Sequence, residues 1–248
     1  MNTFTYNNIS TSQFGILIKS KKIYQFPERD QEFIDVPGRD GSIIYDNGNY
    51  KNIDISFEIN LSNVADRAEA IKAWLCQPGY NRLESSYFFT QLNGVTYQYH
   101  RFAAIDNKIS IDEFFQNFGI AEISFNCKPY LYLNSGESRI ALNTSTTSKT
   151  VLNPTNFTSE PVFEITCSGN VELNINSTNY SFTFPAISST YVIDSRLSAV
   201  YRKSDNVLMN NCINNFTEFP MLASGSNSIK KNSGSVSAFS VVPNWRML

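Results

Sequence analysis

Apolar and polar side chains alternate along much of the first half of the chain. From Ile53 to Leu61 the apolar positions are Ile53, Ile55, Phe57, Ile59 and Leu61, separated by Asp54, Ser56, Glu58 and Asn60. A period of two sends one set inward and the other outward, which predicts a half-buried antiparallel strand. The stretches Phe14–Ile18, Val95–Ile105 and Ile120–Cys127 predict further strands, the last with Ile123, Phe125 and Cys127 on one face. One segment changes period. Val64, Ala68, Ile71 and Leu75 form an apolar stripe at helical spacing, which predicts a helix over 64–76. Asn63 is placed to cap it, Asp66 lies in the first turn where the helix dipole favours a carboxylate, and Pro78-Gly79 supplies the stop.

The second half reads as all-β. Leu173–Asn176, a turn at Ser177-Thr178 and a returning run Asn179–Phe184 predict a hairpin whose second strand puts Tyr180, Phe182 and Phe184 on one face. Short apolar runs follow at Tyr191–Ile193, Ala199–Tyr201 and Val236–Val242, separated by polar turns. Regular short strands of this kind predict a β-sandwich of jelly-roll type. The fold class expected is therefore mainly β: an N-terminal β-sandwich or β-barrel-like domain with one packed helix, and a C-terminal jelly-roll sandwich.

Composition sharpens this picture and removes several functions. Aromatic residues make up 14% of the 248 positions and charged residues only 17%, a ratio that favours β structure over a charged helical bundle or a disordered chain. The net charge of −2 argues against gripping nucleic acid or an anionic membrane by counterion release. A single His excludes any multi-His metal site. Residues 1–133 hold 12 basic and 15 acidic side chains, whereas 134–248 hold 8 and 7 and are rich in Asn, Ser and Thr. That shift places a first domain at 1–133, a polar connector at 134–149 and a second domain at 150–248. Met1–Asn8 has neither a basic nor an apolar leader region, and no run approaches the 18 or more apolar residues of a membrane span, so neither a secretory signal nor a membrane segment is expected. Cys76, Cys127, Cys167 and Cys212 are far apart in sequence without a C-x-x-C pair, which favours buried free thiols in a chain made in a reducing cytoplasm.

Catalytic chemistry finds little to work with. A Ser-His-Asp or Cys-His system would have to use His100, which sits in the strand-like run Tyr97–Phe102 and has no G-x-S-x-G elbow beside it. Asp112-Glu113 is the nearest pair of carboxylates, but neighbours on a strand point to opposite faces. Gly38-Arg39-Asp40-Gly41 lacks the Lys and the spacing of a phosphate-binding loop, and its glycines read as turn residues. No catalytic residue, metal site or cofactor is expected. The residues by themselves lead to a structural or binding module.

Four features in order carry a resemblance. They are Phe4-Thr-Tyr-Asn7 with Thr11–Ile18; Val36-Pro-Gly-Arg-Asp-Gly41 followed by Gly48-Asn-Tyr50; Ile71-Lys-Ala-Trp-Leu75 with Tyr99–Ala104 and Phe125-Asn-Cys-Lys-Pro129; and Phe219–Ile229 leading to Pro243-Asn-Trp-Arg246. Together they span nearly the whole chain. The sequence resembles the distal tail (Dit) proteins of siphophages and prophages of Gram-positive bacteria, departing from the family opening in having Asn8 where Gly is common. The resemblance implies a non-enzymatic hub in the virion, at the tail tip or baseplate, assembled in the host cytoplasm. In that reading the N-terminal domain forms a homo-hexameric ring through which DNA passes. The ring lies between the tail tube protein and a tail-associated lysin or tail fibre protein. The C-terminal domain would be galectin-like and in some phages anchors receptor-binding proteins.

Within that expectation the loop Val36, Pro37, Gly38, Arg39, Asp40 and Gly41 combines an apolar lead, turn glycines and opposite charges, and is the candidate contact with a neighbouring protomer. The acidic balance of the first domain suits a channel that must not hold DNA. Trp245, Tyr180 and Tyr191 are candidates for stacking on a sugar, although a Trp near the end of a terminal strand is more often core. The alternative function is a stand-alone carbohydrate-binding module that recognises a host cell-wall glycan.

Overall fold

The structure, a computed structural model, describes residues 2–21, 26–61, 67–106 and 119–248. The chain divides into two compact units, one comprising Met1–Thr90, Gln98–Leu131 and Leu248, the other Gln91–Tyr97 and Tyr132–Met247.

The first unit is built on strands β1 (Phe4–Tyr6), β2 (Ile9–Ser10), β3 (Leu17–Lys21), β6 (Ile53–Leu61), β7 (Asn81–Leu92), β8 (Val95–Ile105) and β9 (Gly119–Leu133), in the sheet order β2-β1-β7-β8-β9-β6-β3. β6 runs antiparallel to β9 with Phe57 opposite Ile123 and Ile55 opposite Phe125, and these alternating side chains fill the core. The sheet is curled, and the Ile18 amide on β3 donates to the Asn2 carbonyl just ahead of β1 (3.2 Å). Inside the curl Phe4 stacks on Phe57 (4.9 Å between centroids) and Trp74 (5.7 Å) and meets Phe125 edge-on (5.4 Å). Trp74 belongs to the helix α1 (Ala68–Leu75), and its indole N–H donates to the Tyr6 carbonyl at 2.8 Å, fixing the helix against β1.

Several sequence expectations need adjustment. The helix begins at Ala68, with Glu69 in its first turn; Asn63, Val64 and Asp66 lie outside the described residues, as do Asp112 and Glu113. The expected strand Phe14–Ile18 is split. A 3-10 turn occupies Thr11–Phe14 because Gly15 takes a positive φ of 69°, and the strand starts at Leu17. A further pair of strands was not expected: β4 (Arg29–Asp35) and β5 (Ser42–Tyr50) form a separate two-stranded sheet.

In the second unit, β10 (Ile140–Ala141), β11 (Lys149–Asn153), β12 (Val162–Ile175), β13 (Thr178–Thr183), β14 (Ser189–Asp194), β15 (Ala199–Arg202), β16 (Gly225–Val242) and β17 (Arg246–Met247) follow. Two long strands organise it. The first half of β12 pairs with β14, which pairs with β15, while its second half pairs with β13. β16 accompanies β12 throughout and takes β11 at one end and β10 at the other. Between Ser168 and Glu172 the register breaks, Gly169 and Gly234 facing the bend with positive φ of 66° and 100°. Phe163, Ile165, Cys167, Val171, Leu173 and Ile175 are all buried, so the inward face continues across the break.

The hairpin from β12 to β13 turns at Asn176-Ser177, one residue earlier than its sequence suggests, because these two residues take positive φ (50° and 71°) and Ile175 pairs with Thr178. The run 134–149, read as a connector, instead carries a 3-10 turn at Asn134–Glu137 and the strand β10. What ties it down is local. Gly136 lies so close against the Trp245 backbone that a Cβ has no room there. The Asn244 amide donates to the Gly136 carbonyl at 2.8 Å and the Leu133 amide to the Trp245 carbonyl at 2.9 Å.

Candidate functional site: an exposed two-stranded arm

The loop Val36–Gly41 forms the tip of the β4–β5 hairpin. Arg39 donates its amide to the Val36 carbonyl (3.2 Å), with Pro37 and Gly38 between them and Gly38 at φ 81°. Pro followed by a positive-φ Gly is the signature of a type II turn, which is why this tetrapeptide closes the hairpin. Val36 is half-buried and Pro37, Gly38, Arg39, Asp40 and Gly41 are exposed. Below the tip, Asp35 accepts a hydrogen bond from the Ser42 hydroxyl at 2.6 Å.

The base of the arm is fixed by one guanidinium. Arg29 Nε donates to both carboxylate oxygens of Asp46 (3.0 and 2.9 Å), and its Cζ lies 4.8 Å from the centre of the Tyr50 ring. Tyr50 in turn meets Tyr130 of β9 edge-on at 6.2 Å. Asp46 also accepts the Gly48 amide at 2.8 Å; that bond first, and Arg29 second, hold its carboxyl below the usual aspartate range. Lys51 donates its amide to the Glu28 carbonyl at 2.9 Å, closing the neck.

Between neck and tip the arm exposes large apolar side chains. Phe33, Ile34, Ile43, Ile44 and Tyr45 are each between 42% and 63% accessible. Every residue from Glu32 to Asp35 and from Ser42 to Asn49 is classed with the exposed positions, whereas β6 beside them in sequence buries every second residue. A two-stranded hairpin with this surface is marginal in water by itself.

The other sequence candidates lie elsewhere and do other work. Tyr180, Tyr191 and Trp245 are 8% exposed or less. Tyr191 stacks on Phe184 (4.3 Å), Tyr180 meets Phe216 edge-on (5.0 Å) and Trp245 packs over Gly136. A shallow polar depression is lined by Ser189, Thr190, Lys203 and Ser204, but the Lys203 ammonium is engaged with Glu164 at 2.7 Å. His100 is buried on β8 with its ring edge-on to Phe102 at 5.5 Å. Among the described residues no three of His, Cys, Asp and Glu come together as a metal site, and no helix is long and apolar enough to cross a membrane.

A curled β-sheet holding one helix, followed by a second β unit organised on two long bent strands, defines a Dit-like fold. Among solved structures the chain is similar to the crystal structure of the SPP1 Dit protein (gp 19.1). The likeness covers 100% of both chains with a TM-score of 0.67 at 12% sequence identity. That protein is described as a paradigm of the hub adsorption apparatus in phages that infect Gram-positive bacteria. No family model and no curated protein matches the chain. The arm itself was missed in the sequence, where only its tip was noticed; the apolar doublets Phe33-Ile34 and Ile43-Ile44 on either side of a Pro-Gly turn are the signal that finds it.

Proposed function

We propose that this protein is a structural hub of a phage tail tip: a homo-hexameric ring that joins the tail tube to the adsorption apparatus and lets DNA pass through its channel. The observation that carries the reading is the full-length likeness to the SPP1 Dit protein, both units included. The exposed arm supports the ring, because its apolar side chains need cover from another chain and its tip is the loop Val36–Gly41. Head-to-tail contacts of this kind close into rings without requiring the two contacting surfaces to be alike. In this reading the tail tube protein docks on one side of the ring and a tail-associated lysin or tail fibre protein on the other. The second, galectin-like unit faces outward, where receptor-binding proteins can attach.

Mass measurement with negative-stain microscopy tests the ring directly: a six-membered ring is expected, and a carbohydrate-binding module would be a monomer that binds cell-wall glycan. At the tip, Arg39→Glu is expected to lower the hexamer fraction in light scattering and to leave monomer melting nearly unchanged. Lower melting with intact hexamers would remove the loop from the contact.

A further inference from the structure

The chain holds two Asn-Gly pairs, Asn47-Gly48 and Asn93-Gly94, and the fold treats them differently. In an Asn-Gly pair the asparagine side chain is open to attack by its own backbone, because glycine has no Cβ to shield the nitrogen that follows. Asn93 and Gly94 are the whole loop between β7 and β8, with φ of 50° and 80°. That is a type I′ turn, whose dihedrals the two flanking strands hold. Asn47 and Gly48 sit in a bulge instead. Gln31 pairs with Asp46 and Arg29 with Tyr50, so Asp30 faces three residues, Asn47, Gly48 and Asn49. Those three are exposed, Gly48 is at φ 80°, and nothing lies within 4 Å of where its Cβ would stand.

The bulge also sets carboxylates around the reacting atoms. The Gly48 amide donates to Asp46 Oδ1 at 2.8 Å, which places an acceptor beside the proton that this nitrogen must lose when it attacks. Asn47 Nδ2 donates to Asp30 Oδ2 at 3.3 Å, and Asn49 Nδ2 donates to the same oxygen at 3.3 Å. We propose that Asn47 is a site of spontaneous deamidation, at which the neck of the arm exchanges an amide brace for a like charge. In the first step Gly48 N bonds to the Asn47 side-chain carbonyl carbon, the bond from that carbon to Nδ2 breaks, and ammonia leaves with the Gly48 proton. Water then opens the cyclic imide at one carbonyl or the other, leaving aspartate or isoaspartate at position 47, with no change of oxidation state. Either product sets a carboxylate against Asp30 where a donor stood, and isoaspartate also lengthens the main chain by one carbon within the bulge. The inference concerns a single chain and stands apart from the ring reading.

Peptide mapping by mass spectrometry, on whole protein aged in mildly alkaline buffer, reads both pairs at once. Synthetic peptides covering residues 45–51 and 91–97 give the rate of each pair freed from the fold. Asn47 is expected to convert at close to its peptide rate, with aspartate and isoaspartate both formed, while Asn93 is slowed several-fold against its own. An Asn47 held back as strongly as Asn93 overturns the proposal. Asn47→Gln, whose side chain is one carbon too long to close the ring readily, is expected to abolish the mass gain in this segment. A gain that persists in that variant belongs to Asn49 and overturns the assignment. Anion exchange separates the aged, more acidic fraction, and hydrogen exchange compares it with fresh protein. Faster exchange of the β4 and β5 amides near Asp30 is expected, with the β6–β9 core unchanged. Equal exchange in the two fractions overturns the loss of the brace.

Discussion

Asn227 is fully buried, and its side-chain amide donates to the carbonyls of Ala223 (2.9 Å) and Gly225 (3.0 Å) while its oxygen accepts from Asn176 at 2.6 Å. Asn153 does the same for another turn, donating to Phe157 and Ala223 and accepting from the amide and hydroxyl of Thr155. Amides with two donors and an oxygen satisfy buried loop carbonyls that no strand partner reaches, so part of the Asn, Ser and Thr enrichment in the second half is structural. Charge is used sparingly there. Burial pushes the Glu164 carboxyl up, but Arg139, which grips it with both terminal nitrogens, and Lys203 outweigh this and hold it below its ordinary value of 4.5. A carboxylate depressed in the folded state contributes stability above the unfolded value and loses it as pH falls through the folded one. Melting of the wild type should therefore fall more steeply below about pH 4.5 than melting of Glu164→Gln; parallel acid limbs would show that the trio contributes nothing. The thiols give a simpler reading. Cys127, Cys167 and Cys212 are buried, with burial pushing the first two up to about 12, while Cys76 is exposed. A thiolate-selective reagent should titrate one thiol in the native protein and four after denaturation. Two or more fast native thiols would contradict the packing around β9, β12 or the 3-10 turn Asn210–Cys212.

At the scale of elements, the strands that were legible in the sequence are those with one wet and one dry face. Ile53–Leu61 has the same bounds in sequence and structure because the core imposes period two, burying Ile53, Ile55, Phe57 and Ile59; Val95–Ile105 keeps its bounds although Tyr99, His100 and Arg101 are buried in succession. The first half of β12, with Phe163, Ile165 and Cys167 between Glu164 and Thr166, carries the same signal and is read the same way once its period is counted. The arm is different. Its doublets break the alternation because neither face is a core face within this chain, so a rule based on one buried side has nothing to detect. The motifs of the family resemblance that lie outside the arm turn out to be fold residues: Phe4, Tyr6 and Trp74 fill the first core. Leu222, Asn227 and Trp245 lock the turns and terminus of the second unit. The most exacting element is the bend of β12 and β16. A Cβ on Gly234 would lie 2.5 Å from the Asn170 carbonyl oxygen and 2.9 Å from Val171 Cα, at a φ that L-residues rarely adopt. Because the clash is with backbone, it is relieved only by opening the bend. Gly234→Ala should cost about 3 kcal/mol in chemical denaturation, combining backbone strain with overpacking. A loss below about 1 kcal/mol would mean that the bend yields easily.

For the whole molecule, the uneven charge of the arm has a kinetic consequence that the net charge hides. A chain at −2 overall has almost no long-range field of its own, yet its arm is strongly acidic and its remainder slightly basic. With β5 nine residues long, the arm reaches about 30 Å along its strands. That is farther than the Debye length of about 10 Å at 0.1 M salt, so in dilute salt an approaching copy senses the two ends as separate charges. Opposite charge at a distance raises the rate of encounter, whereas in the proposed ring the lifetime of the contact would be set by the apolar side chains it covers. If the proposed ring forms through the arm, raising NaCl from about 0.05 M to about 0.5 M should slow its formation several-fold in stopped-flow light scattering and leave dissociation on dilution nearly unchanged. Replacing Asp30, Glu32 and Asp35 by their amides should slow assembly at low salt to the rate seen at high salt and remove most of the salt dependence. If dissociation carried the salt effect instead, the contact would be held by ion pairs, and the exposed Phe33, Ile34, Ile43 and Ile44 would have to be covered by something other than a second copy.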